Sequence, residues 1–149
     1  PFIITDVLKT PSEQLVRITN WRVFVSSDEQ PRAEVTLAYR GKLEKASAQG
    51  DGGYDSLMNA VRKAVKPFQL EIPRLDDFRS RIPPGGRTGA LVETVITWRK
   101  SAQETFSTLG VDSDQLGAAV IATEKMLNAI IPRAKKPARK KASRRSGRK

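Results

Sequence analysis

The chain has 149 residues with no cysteine and no histidine, which rules out a disulfide framework or thiolate metal site and removes the commonest general base. That length suits one domain with a real core, and no run approaches the ~18 apolar residues of a membrane span, so a soluble, cytoplasmic protein is expected. The net charge of +11 is concentrated at the end, because residues 133–149 carry ten Lys or Arg and no acid, leaving 17 basic and 16 acidic residues in 1–132.

Residues 1–13 form an N-terminal segment in which Phe2, Ile3, Ile4, Val7 and Leu8 are apolar and Pro11 breaks the run. Their docking site cannot be read locally. Trp21, Val23 and Val25, then Ala33, Val35, Leu37 and Tyr39, alternate with polar neighbours and predict two half-buried strands. Ser47-Ala48-Gln49-Gly50 closes a third and leads into Gly50-Asp51-Gly52-Gly53. A helix follows with Leu57, Ala60, Val61, Ala64 and Val65 on one stripe, and Pro67 ends it.

The same order then recurs. Pro73-Arg74-Leu75-Asp76-Asp77-Phe78-Arg79 predicts a strand, and Val92, Ile96 and Trp98 another, with Thr94 its weak member. Ser107-Thr108-Leu109-Gly110 leads to a helix with Leu116, Ala119, Val120, Thr123, Leu127, Ile130 and Ile131 on one stripe, and Asp112 with Gln115 predicts a capping box. The copies are offset by about 57 to 60 residues, too few copies for a solenoid. The predicted fold is α+β: two pseudo-symmetric βββα units, about 14–67 and 68–131, in one layered domain over 14–132. Residues 133–149, whose apolar members are only alanine and proline, predict a disordered tail.

The chemical inventory is thin. Asp76–Asp77 are neighbours on a strand, which predicts opposite faces, and Asp112–Asp114 sit where acids cap helices. Asp51 and Asp55 fall short of a calcium loop. No catalytic residue, metal site or cofactor is expected. The glycine loop before a helix is a candidate anion site, but it lacks the dinucleotide and P-loop spacings, and Asp51 and Asp55 would repel phosphate. The plain alternative is a turn whose glycines supply φ > 0, with Asp55 favouring the helix start. For the tail, ten cations would give salt-steep, nonspecific nucleic-acid binding, while the lack of an aromatic residue removes base stacking. A solubilising tail is the plain alternative.

Gly50-Asp51-Gly52-Gly53-Tyr54-Asp55-Ser56-Leu57-Met58-Asn59-Ala60-Val61, then Leu75-Asp76-Asp77-Phe78, Gly85-Gly86-Arg87-Thr88-Gly89-Ala90-Leu91-Val92-Glu93 and Ser107-Thr108-Leu109-Gly110-Val111-Asp112-Ser113-Asp114-Gln115-Leu116, resemble the C-terminal regulatory domain of 2-isopropylmalate and citramalate synthases. The resemblance covers roughly 14–131. It implies a dimerising βββα pair that binds the end-product amino acid, leucine or isoleucine, and inhibits a separate catalytic barrel. By motif position, the implied effector site takes Asp51, Gly52, Gly53, Tyr54 and Asp55 from the first turn, Leu75 and Phe78 from the fourth strand, and Val111 and Ser113 from the second turn. Helix N-termini would receive the carboxylate, Asp51 or Asp55 the ammonium, and Leu75, Phe78 and Val111 the aliphatic side chain. The family's first turn usually carries Asn and Pro around its second glycine, where this chain has Asp51 and Gly53, and a dimeric scaffold that has lost its effector is the alternative expectation. The barrel's metal-binding histidine pair is absent, so the chain is not expected to be an enzyme on its own. The expected partners are a branched-chain amino acid, a second copy of the chain, a catalytic barrel and, through the tail, nonspecific nucleic acid, with no membrane.

Overall fold

The structure, a computed structural model, describes residues 2–5 as backbone and residues 14–83 and 91–132 in full. Val7 and Leu8, the Gly85–Ala90 part of the resemblance and the basic tail lie outside these residues.

The expected βββα order appears twice. The first unit has β2 (Val16–Phe24), β3 (Arg32–Tyr39), β4 (Lys42–Gln49) and α1 (Gly53–Val65), and its sheet order is β2-β3-β4, antiparallel throughout. The second has β5 (Arg74–Arg81), β6 (Val92–Ser101), β7 (Glu104–Asp112) and α2 (Gln115–Ile130). Its antiparallel strands gain one more, because β1 (Phe2–Thr5) lies parallel to β7 with Phe2 opposite Glu104, giving the order β1-β7-β6-β5.

Each element buries the stripe its period predicts. Ala33, Val35, Leu37 and Tyr39 are buried on β3, and Leu57, Ala60, Val61, Ala64 and Val65 on α1. After α1 the chain tightens into a 3-10 turn over Lys66–Phe68 that contains Pro67, a residue whose ring cannot continue an α-helix. On α2, Ala119, Val120, Thr123 and Leu127 are buried as expected, as is Ile131 just past its end, and Met126 and Asn128 join them. Val25 falls beyond the end of β2 and is 63% exposed. The weak member Thr94 is fully buried because Ser80 meets its hydroxyl at 2.7 Å.

One core spans both units. Trp98 is fully buried at its centre, and its indole N–H donates to Thr108 Oγ1 at 3.0 Å. Thr108 passes the link on by donating to the Ala122 carbonyl at 2.7 Å. This satisfies the polar atoms of a large buried ring and ties β6, β7 and α2 together.

The units are also stitched across their boundary. Asn128 Oδ1 on α2 accepts the Val16 N–H at 2.8 Å, Asn128 Nδ2 returns a bond to the Val16 carbonyl at 2.9 Å, and Glu124 accepts the Ile18 N–H at 2.8 Å. The second unit's helix thereby closes the outer edge of the first unit's sheet.

Candidate functional site

Both sheet-to-helix turns stand at one end of the domain. α2 ends beside Val16 at the start of β2, whereas its first turn reaches the other end of that strand, where Leu116 borders Gly53. A Cβ at Gly53 would lie 3.3 Å from Val23, 3.5 Å from Val25 and 3.7 Å from Leu116. The helix starts are therefore neighbours.

The first turn is built from its own backbone. Gly52 is the N-cap and contributes no side chain, while Asp55 Oδ2 reaches back to accept the Asp51 N–H at 2.7 Å. Ser56 donates its hydroxyl to the Gly52 carbonyl at 2.7 Å. The expectation that these glycines supply φ > 0 is overturned, because among the described residues the only positive-φ glycine is Gly41. Gly52 is extended, with φ of −149° and open space where a Cβ would stand. Gly50 is required for a steric reason: a Cβ there would sit 2.6 Å from both Asp55 Oδ2 and the Ser56 nitrogen.

The second turn is capped differently from the predicted box. Asp114, not Asp112, is the N-cap, and its carboxylate accepts the Gly117 N–H at 2.8 Å. Asp112 instead accepts the Asp114 N–H at 3.0 Å. The strand before this turn runs longer than its counterpart, so Gly110 lies inside β7, where a Cβ would stand 1.9 Å from the Ala118 carbonyl. Gly50 and Gly110 thus allow close strand-to-helix approach in both units.

Of the nine residues proposed from sequence, the structure brings two pairs into contact. Asp51 and Asp55 share the hydrogen bond above. The half-buried rings of Tyr54 and Phe78 meet with centroids 5.0 Å apart, which joins the first turn to β5. Leu75 is half-buried opposite Trp98 and packs against the core. Gly52 and Gly53 frame the helix start, Val111 is exposed near the end of β7, and Ser113 is exposed on the second turn. No hydrogen bond joins Val111 or Ser113 to the first turn among the described residues. The bridge is made by Leu116, together with Thr123, whose hydroxyl lies 2.7 Å from Tyr54 Oη. Thr123 already donates to the Ala119 carbonyl at 2.8 Å, so the phenol is the donor. The signal for Thr123 was a hydroxyl on an otherwise apolar helix stripe.

Burial pushes the Tyr54 phenol well above its ordinary range, with the Thr123 bond and the Arg62 charge opposing in part. It is a neutral donor at physiological pH. Asp76 and Asp77 depart from their expected opposite orientation. A bulge between Leu75 and Asp77 puts both acids on the sheet face away from the helix. There Asp76 takes a two-pronged contact from Arg99 at 3.2 and 3.1 Å, and Asp77 pairs with Arg79 at 2.8 Å. Acids committed to arginines in this way fit a structural role. At the opposite end of the second unit lies an open groove of ≈ 820 Å³ lined by Leu70, Ile72, Arg74, Lys100 and Ile130. None of the nine residues lines it.

The fold is a pair of βββα units with a shared core and adjoining helix starts. Residues 1–131 match the model of the LeuA allosteric (dimerisation) domain, and the chain belongs to that family. It is 30% identical over 96 residues to the (R)-citramalate synthase of Geobacter sulfurreducens, a match covering 62% of the chain and 18% of that protein. It is 30% identical over 128 residues to a putative (R)-citramalate synthase of Archaeoglobus fulgidus, with 86% of the chain and 25% of the relative covered. The 2-isopropylmalate synthase of Aquifex aeolicus is 28% identical over 131 residues, covering 88% and 24%. The chain therefore spans about a quarter or less of the length of these relatives.

Proposed function

We propose that this domain binds a branched-chain amino acid, leucine foremost, and in doing so controls a 2-isopropylmalate synthase-type catalytic partner as part of a homodimer. The observation that carries the reading is the approach of the two turns, with Gly53 against both Val25 of its own unit and Leu116 of the other. A free amino acid requires donors for its carboxylate, acceptors for its ammonium and an apolar wall. Two helix starts, the Asp51 and Asp55 carboxylates, and Val111 with the Tyr54–Phe78 pair supply these chemistries around one end of the fold. Regulation then requires the effector to bind two geometries of the domain unequally, because equal affinity shifts nothing.

Titration calorimetry of the 149-residue chain with leucine, isoleucine and valine at millimolar concentration tests the reading. Saturable heat for at least one, abolished in the Phe78→Ala variant, is expected. Silence for all three overturns it.

A further inference from the structure

A sheet edge is a row of unpaired N–H and C=O groups, and proteins either cover such rows or use them for pairing. The two three-stranded antiparallel sheets leave four long edges to account for. The β2 edge is closed by Glu124 and Asn128 from α2. On β4, the Ser47 and Gln49 carbonyls accept from Lys63 and Asn59 of α1, at 3.0 and 2.9 Å. The β7 edge is covered by β1. The fourth edge, β5, pairs with β6 on one side, and among the described residues no hydrogen bond reaches its other side.

We propose that β5 is the pairing edge of a homodimer: two copies align their β5 strands antiparallel about a two-fold axis at Phe78, joining two four-stranded sheets into one. This rests on the homodimer reading above and assigns its surface. The charge order of Arg74-Leu75-Asp76-Asp77-Phe78-Arg79-Ser80-Arg81 suits this pairing. With Phe78 opposite its own copy, each Asp77 stands opposite the Arg79 of the other copy, on the same face of the joined sheet. With the axis at Arg79 each Asp77 would meet Arg81 of the other copy but Arg79 would face itself, whereas the Phe78 axis keeps two Asp77–Arg79 pairs with no like-charge contact, so the charges favour the Phe78 register. Arg79 and Asp77 are free to change partners, since their side chains are 81% and 47% exposed. On the opposite face the half-buried Phe78 ring, already against Tyr54, would gain its copy as a neighbour.

The test is sedimentation or light scattering of the full chain over a range of concentrations. The wild type is expected to dimerise. Asp77→Arg and Arg79→Asp should each weaken dimerisation about tenfold, and the double swap should restore it, with circular dichroism showing each variant folded. In parallel, hydrogen exchange should show amides in 76–81 gaining protection as the wild type dimerises. A wild type that dimerises without that protection, or whose folded single variants dimerise unchanged, overturns the β5 interface and leaves the homodimer intact. A wild type that stays monomeric overturns both.

Discussion

Asn128 and Val16, 112 residues apart, exchange hydrogen bonds in both directions: the amide oxygen takes the valine N–H at 2.8 Å and the amide nitrogen gives to its carbonyl at 2.9 Å. One side chain thus does the work of a neighbouring strand. Replacing it with leucine, of similar volume, would leave the fully buried Val16 backbone unsatisfied. The expected loss for Asn128→Leu is about 2 kcal/mol. Urea unfolding should show a lower midpoint at unchanged slope.

The glycines should divide by steric need. Gly110→Ala forces a methyl into the Ala118 carbonyl and is expected to cost about 3 kcal/mol through strand and helix displacement. Gly52→Ala meets open space and an extended backbone, so its effect should stay within about 0.5 kcal/mol. Equal losses in thermal unfolding would contradict this division.

Tyr54→Phe removes a donor while Thr123 keeps its bond to Ala119. About 1 kcal/mol of stability should go with it. The phenol also sets an alkaline limit. Its folded-state value is raised above the unfolded one, so above pH ~10 the unfolded chain loses this proton first and stability falls. Denaturation between pH 9 and 11 should show a shallower decline in Tyr54→Phe than in the wild type.

Asp76 works in the other direction. Its hydrogen bonds to Arg99 hold the carboxyl below the ordinary range, with Arg74 adding to the effect. The stabilisation is present above the unfolded value, near 4, and is lost as pH falls through the folded one. Carbon-detected NMR titration should give Asp76 a midpoint below that of an unpaired aspartate. Asp76→Asn should flatten the acid limb of the stability profile.

What was legible in the sequence was whatever one-sided burial writes into a period. Leu57, Ala60, Val61, Ala64 and Val65 announce α1, and Ala33, Val35, Leu37 and Tyr39 announce β3, because each faces one core. The repeat was legible for the same reason. Contacts made by single residues with distant backbone were not, since Asn128 reads as an ordinary polar residue until Val16 is beside it. The bulge that turns Asp76 and Asp77 to one face has no local period either. At the candidate site, the turn positions and the acid at the first helix start were readable, but the link between turns through Leu116 and Thr123 was not. It depends on how two units dock, and no window of one unit contains that information.

The parallel pairing of β1 with β7 has a consequence for the order of folding. Its closure spans about a hundred residues, from Phe2 to Glu104, and closing so long a loop is deferred until shorter hairpins have formed. On a ribosome β1 must wait for a partner made about a hundred residues later. Pulse-labelled exchange during refolding should find amides 2–5 protected no earlier than 104–107. The N-terminal strand would then report completion of the whole domain.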